Sequence, residues 1–222
     1  MKVCTDACLF GAWLAQQIQM LALPHKTLLD VGTGTGLLSL QIVQALSMAN
    51  ITAIEIDPAA AIQANDNFEH SPFTARLTAI QADITVWQPT ALFDGVFSNP
   101  PFYENDLTST STTKNVAHHS TALTLQQLFA TIASYSQTPH WLALLLPYKR
   151  HAEAIELAEA LNWHLAANML VQQTPQHNYF RTMLLWRSNS AVPANLTTLA
   201  IQDKGKYTPA FSALLQPYYL NL

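Results

Sequence analysis

The chain has 222 residues, enough to bury a full hydrophobic core and better suited to one domain, spanning 1–222, than to two. Half of the residues are hydrophobic and 11% are charged, far below the usual quarter, so surface polarity falls to Gln, Thr, Ser and Asn; no apolar run approaches the roughly 18 to 20 residues that a bilayer span needs. Net charge is −4, which disfavours a polyanionic partner, yet from Lys149 onward six cations (Lys149, Arg150, Arg181, Arg187, Lys204 and Lys206) face four acids, so any polyanion contact is expected in the C-terminal third.

Lys2 followed by the apolar run from Ala7 to Ala15 imitates a secretory leader. Asp6 and the Gln16-Gln17 pair interrupt that run, no cleavage site follows, and a strand-turn-helix unit begins at once; the stretch is therefore read as a helix over Asp6 to Leu23 of a cytoplasmic protein. Cys4 and Cys8 have no further cysteines to form a framework and no His pair at zinc spacing, so they are read as packing residues and no metal is expected. A strand at Thr27 to Val31 leads through a glycine-rich turn into a helix over Leu37 to Met48, a strand over Ile51 to Ile56 and a helix over Pro58 to Phe68. Strands at Leu77 to Ala82 and Gly95 to Ser98 follow, and the second runs into Asn99-Pro100-Pro101. The polar stretch Tyr103 to Thr121 lacks a period, is too long for a routine connection and is expected to be a flexible substrate loop. Beyond it are a helix over Leu123 to Ser136, a strand over Trp141 to Leu146, a helix over Arg150 to Leu161 and strands at His164 to Val171 and Thr182 to Trp186. The last two are expected to pair antiparallel at the sheet edge. This alternation predicts an α/β fold with a mostly parallel, seven-stranded sheet flanked by helices.

Asp30-Val31-Gly32-Thr33-Gly34-Thr35-Gly36 carries an apolar strand straight into a turn with three glycines, where a ligand can lie against bare backbone. The spacing is G-x-G-x-G, not the G-x-G-x-x-G of dinucleotide sites, and Asp30 would repel a phosphate but suit an ammonium group. Nineteen residues after Gly36, Glu55 ends the second strand, where a carboxylate can accept both ribose hydroxyl protons. Asp57 competes for that role, but its place before Pro58 fits a helix cap. Asp83 ends the third strand and suits an adenine amine; Ile56 and Ile84, the apolar neighbours of Glu55 and Asp83, complete the candidate set with Gly32, Thr33, Gly34 and Gly36. Three strand-terminal acids in step with a glycine turn describe a nucleoside site for a cationic, phosphate-free ligand, as S-adenosylmethionine is.

Strand four ends in Asn99-Pro100-Pro101-Phe102. An adenine amino nitrogen is a poor nucleophile because its lone pair is delocalised into the ring. Two acceptors on its two hydrogens draw it toward tetrahedral geometry, and the Asn99 side-chain oxygen and the Pro100 carbonyl supply them. Pro101 and Pro100 bar helical geometry in the residues before them and stiffen the turn, and Phe102 can stack on the base.

These residues resemble the amino-methyltransferase branch of Rossmann-like methyltransferases, in which Asp-Pro-Pro-Tyr or Asn-Pro-Pro-Tyr/Phe marks transfer to a planar amine. Met1 to Asp6 and Leu9 to Trp13, with His70-Ser71-Pro72-Phe73, Arg181 and the ending Tyr207 to Leu220, resemble the bacterial tRNA1(Val) adenine-N6 methyltransferase family over the whole length. The resemblance implies S-adenosylmethionine as cofactor, a tRNA substrate methylated beside the anticodon, and Asp6 near the methionine end. It also brings His119 into the candidate RNA contacts, beside Phe102, Lys149, Arg150 and Arg181, in a monomer. The chain departs from the family at Cys4, where glycine is usual, at His118-His119, where Arg-His is expected, and in having no basic, aromatic segment before Met1. Ribosomal-RNA guanine-N2 and protein-glutamine N5 methyltransferases share the Asn-Pro-Pro-Phe chemistry and stand as alternatives, ahead of a non-catalytic RNA-binding module and an NAD-dependent oxidoreductase.

Overall fold

In the computed structural model, residues 5–100, 123–135, 137–189 and 193–219 are described. Cys4, Pro101, Phe102, His118, His119 and the whole Tyr103 to Thr121 stretch lie outside them.

Eight strands form one sheet in the order β3-β2-β1-β4-β5-β7-β6-β8, one strand more than the sequence predicts. They are β1 (Thr27–Val31), β2 (Asn50–Glu55), β3 (Leu77–Gln81), β4 (Gly95–Ser98), β5 (Trp141–Pro147), β6 (His164–Gln172), β7 (Tyr179–Arg187) and β8 (Asn195–Ala200). Every neighbouring pair is parallel except those that β7 makes with β5 and β6. The expected β6–β7 antiparallel pairing is present, but β7 is inside the sheet and β8 forms the edge beyond β6. The physical reason lies in the side chains: Met183, Leu184, Leu185 and Trp186 are fully buried, which requires cover on both faces. In β8 only Leu199 is buried, as befits an edge strand. A two-stranded hairpin, β9 (Gln202–Asp203) with β10 (Lys206–Tyr207), turns through Lys204 and Gly205, both at positive φ.

Six helices accompany the sheet among the described residues: α1 (Thr5–Met20), α2 (Leu37–Ala45), α3 (Pro58–Glu69), α4 (Leu125–Ala133), α5 (His151–Ala160) and α6 (Pro209–Leu215). Alternate strand residues divide the core between the two faces. Leu28, Phe97 and Ala143 join α1, α2, α3 and α6 on one side, while Leu29, Val96, Leu142 and Leu144 join α4 and α5 on the other. The apolar run that imitates a leader is the centre of α1, with Leu9, Phe10, Trp13, Leu14 and Ile18 fully buried. Such all-round burial explains its hydrophobicity without a membrane. No helix among the described residues is long and apolar enough to cross one. Cys8 is buried within that core, and no cluster of metal-ligating side chains occurs among the described residues.

Candidate active site

The parallel strands β3, β2, β1 and β4 are neighbours, so their carboxyl ends form one continuous edge. Asp30, Glu55 and Asp83 all lie along it. The glycine turn follows β1 directly, with Gly32, Gly34 and Gly36 at φ 69°, 59° and 85°, a left-handed region that side chains avoid. A second restraint acts at Gly36, where an added Cβ would stand 2.4 Å from Cε1 of Phe68 on α3. The turn is anchored to the neighbouring strand: Gly32 and Thr33 donate their N–H groups to the Ile54 carbonyl at 2.8 and 3.1 Å. Asn67 donates to the Thr35 carbonyl at 2.8 Å.

Asp30 is fully buried beneath this turn. Its Oδ2 accepts hydrogen bonds from the hydroxyls of Thr33 at 2.6 Å and Ser39 at 2.7 Å, whereas Oδ1 is buried without a partner among the described residues. Burial raises its carboxyl to about 6, against the opposing pull of the two hydroxyls. Ser39, in the first turn of α2, is a site residue that the sequence pattern does not single out; its signal is a serine nine residues after the acid, at the start of the helix that follows the glycine turn.

Glu55 stands level with the turn at the end of β2. Its Oε2 accepts from the Gly34 N–H at 2.7 Å and Oε1 from the Asp57 N–H at 2.9 Å. Each oxygen keeps a further lone pair for a ligand hydroxyl. Asp57 caps α3 as expected, accepting from the Ala60 N–H at 2.7 Å with Pro58 in the first turn. Asp83, two residues past β3, uses Oδ1 to accept from the N–H and hydroxyl of Thr85 at 2.9 and 2.7 Å. Ile84 beside it is buried, while Ile56 is 46% exposed at the rim. A cationic nucleoside fits this donor set: an uncompensated buried carboxylate oxygen is costly unless a cation or donor meets it, and two further carboxylates with unused lone pairs lie along the same edge.

One strand further on, Ser98 pairs with Val31, and its hydroxyl donates to the Val31 carbonyl at 2.6 Å. That bond ties the end of β4 to the end of β1, so Asn99 and Pro100 emerge beside the glycine turn. Asn99 is half-buried and Pro100 buried.

The predicted RNA contacts spread differently. Arg181 and Asp6, assigned to separate roles from the sequence, meet: Arg181 Nε lies 2.7 Å from Asp6 Oδ2, joining β7 to the first turn of α1. Arg150 donates through Nη2 to Glu153 Oε1 at 2.7 Å on α5. Lys149 is exposed just past β5.

Comparison with known proteins identifies the family and the fold. Residues 11–131 match the model of the methyltransferase small domain. The whole chain aligns at 33% identity with a tRNA1(Val) (adenine(37)-N6)-methyltransferase of Dyadobacter fermentans, covering 91% of it, and at 34% with its namesake from Shewanella loihica, covering 93%. A crystal structure of a predicted O-methyltransferase from Agrobacterium tumefaciens superposes with a TM-score of 0.70 over 95% of each chain at 20% identity, which supports the fold alone. By the family model that covers more than half of the chain and by these full-length relatives, the chain belongs to the tRNA1(Val) (adenine(37)-N6)-methyltransferase family of Rossmann-like methyltransferases.

Proposed function

We propose that the chain is a single-domain, monomeric, cytoplasmic enzyme that methylates the N6 amine of an adenine in tRNA, namely adenine 37 of tRNA1(Val). The observation that carries this reading is the adjacency of two strand ends: the Ser98–Val31 pairing sets Asn99 and Pro100 next to the glycine turn. S-adenosylmethionine, when bound, supplies an electrophilic methyl on a sulfonium centre. Asp30 Oδ1 is suited to the ammonium of its methionine moiety, with Asp6 toward the same end, and Glu55 to the ribose hydroxyls. Asp83, flanked by Ile84, is suited to the adenine amine, and Ile56 to an apolar contact at the rim. The bare backbone of Gly32, Thr33, Gly34 and Gly36 allows close approach.

Asn99 and Pro100 do the work on the acceptor. The amide oxygen of Asn99 and the carbonyl of Pro100 accept the two hydrogens of the target amine, localise its lone pair and hold it toward the cleft. The proton leaves after transfer, so no general base is needed beforehand. Pro101 stiffens the pair, Phe102 stacks on the base, and His119, Lys149, Arg150 and Arg181 serve the RNA.

Incubation with labelled cofactor and, separately, total tRNA, ribosomal subunits and release factor tests the substrate. Label is expected in tRNA alone, recovered by nucleoside mass spectrometry as N6-methyladenosine; label in a guanine or a glutamine amide overturns the assignment.

A further inference from the structure

Where β5 leaves the sheet, the chain builds a second recess that the methyl-transfer chemistry does not use. Tyr148, Lys149, Gln172, His177, Asn178 and Tyr179 line a cleft of about 560 Å³. Because β7 runs antiparallel, its first residues lie beside the carboxyl ends of both neighbours, with Gln172 paired to Tyr179 and Pro147 to Arg181. The cleft therefore opens on the same edge as the Asn99–Pro100 turn. Ser98 pairs with Leu144, and Pro147 is three residues further along β5, which puts Tyr148 roughly 10 Å from that turn by strand geometry. This is the scale of the spacing between neighbouring nucleotides in an unstacked strand.

The aromatic rings are held in advance. Tyr148 is 39% exposed and packs on Tyr179 (centroids 5.5 Å apart, 60°) and on His151 (5.8 Å, 32°). His151 is fixed from behind: its Nδ1 lies 3.0 Å from the Thr182 hydroxyl, which in turn accepts from Asn168 Nδ2 at 2.9 Å. The Thr182 hydroxyl, with one proton and two lone pairs, can bond Nδ1 in either imidazole tautomer while it accepts from Asn168, and burial lowers the His151 pKa, which favours the neutral ring. None of the six lining residues is acidic, and the amides of Gln172 and Asn178 offer both donors and acceptors for a base edge.

We propose that this cleft is a stacking subsite for an unpaired nucleobase next to the target adenine, with Tyr148 and Tyr179 as the platform and Gln172 and Asn178 reading its edge. The proposal rests on the tRNA reading above and deepens it. Sequence-specific RNA recognition takes splayed, single-stranded bases onto aromatic faces, and drawing an amine into the Asn99 turn requires its base to leave the stack, which frees a neighbour.

The test is an RNA-binding titration of the full chain with an anticodon stem-loop, alongside cofactor titration and thermal melting. Tyr148→Ala is expected to weaken RNA binding about tenfold to a hundredfold, and Tyr148→Phe to restore most of it, with cofactor Kd and Tm near wild type. Replacing the nucleotides flanking the target adenine by abasic residues, one at a time, should reveal one whose loss weakens wild-type binding as strongly and leaves Tyr148→Ala unaffected. Wild-type-like RNA affinity in a Tyr148→Ala/Tyr179→Ala double variant overturns the stacking subsite while leaving the tRNA assignment standing. Failure of the wild-type chain to bind or methylate tRNA overturns both.

Discussion

Two side chains at the sheet edge allow the proposed roles in binding and in chemistry to be tested apart. In the proposed mechanism Asn99→Ala removes one of the two acceptors without touching the glycine turn, so methyl transfer should fall by at least a hundredfold while cofactor affinity, measured by calorimetry, stays within about twofold. Parallel loss of both would show that Asn99 holds the cofactor instead. Asp30 behaves differently because its charge is enclosed. With its carboxyl raised from 3.8 to about 6 by burial, folding favours the protonated form; the contribution is full below pH 3.8 and is lost as pH rises through about 6. Relative to Asp30→Asn, wild-type stability should therefore decline over that window, by at most about 3 kcal/mol. Cofactor affinity should move the opposite way and weaken as pH falls below 6, since a protonated Asp30 cannot meet an ammonium. Identical pH profiles for the two proteins would refute both expectations.

At the level of elements, the sequence marks seven of the eight strands of the main sheet and misses β8. β1 and β4 begin and end where the pattern places them, because each is a short apolar run closed by glycine or proline. β8 escaped notice because its pattern, with five of six positions at least partly exposed, carries almost no hydrophobic signal. Its strand character comes from pairing with β6. α6, with seven residues, is too short for helical period to show, although Thr208 and Pro209 form a legible cap and first turn. Asp30, Glu55, Asp83 and Asn99-Pro100 are readable because each lies within two residues of the end of its own strand; the Asp6–Arg181 pair is not, since 175 residues separate its members. That pair joins α1 to β7, with the two side chains 18% and 33% exposed. A double-mutant cycle with Asp6→Asn and Arg181→Gln is expected to give a coupling of about 1 kcal/mol in urea denaturation, reduced from a buried pair by solvent. A coupling near zero would mean that packing alone seats α1.

For the molecule as a whole, charge sets the manner of RNA binding. The net charge of −4 leaves little long-range attraction for a polyanion, and two of the six C-terminal cations, Arg150 and Arg181, are already matched to Glu153 and Asp6. Recognition must then draw on stacking and hydrogen bonds more than on counterion release. The dependence of log Kd on log salt for an anticodon stem-loop is accordingly expected to have a slope of magnitude about 4 or less. A slope near 8 would point to a phosphate-binding surface elsewhere on the chain.

The placement of β7 also governs how the protein comes off the ribosome. β5 and β6 have no direct ladder between them; the slot that separates them is filled by residues 179–187. Until that segment has been made, β5 exposes an unpaired edge of leucines, and β6 has nothing to join it to the rest of the sheet. The strands that carry the glycine turn and the strand-end acids precede that segment in the chain, whereas the ladder that joins β5 to β6 cannot form until the late strand is inserted.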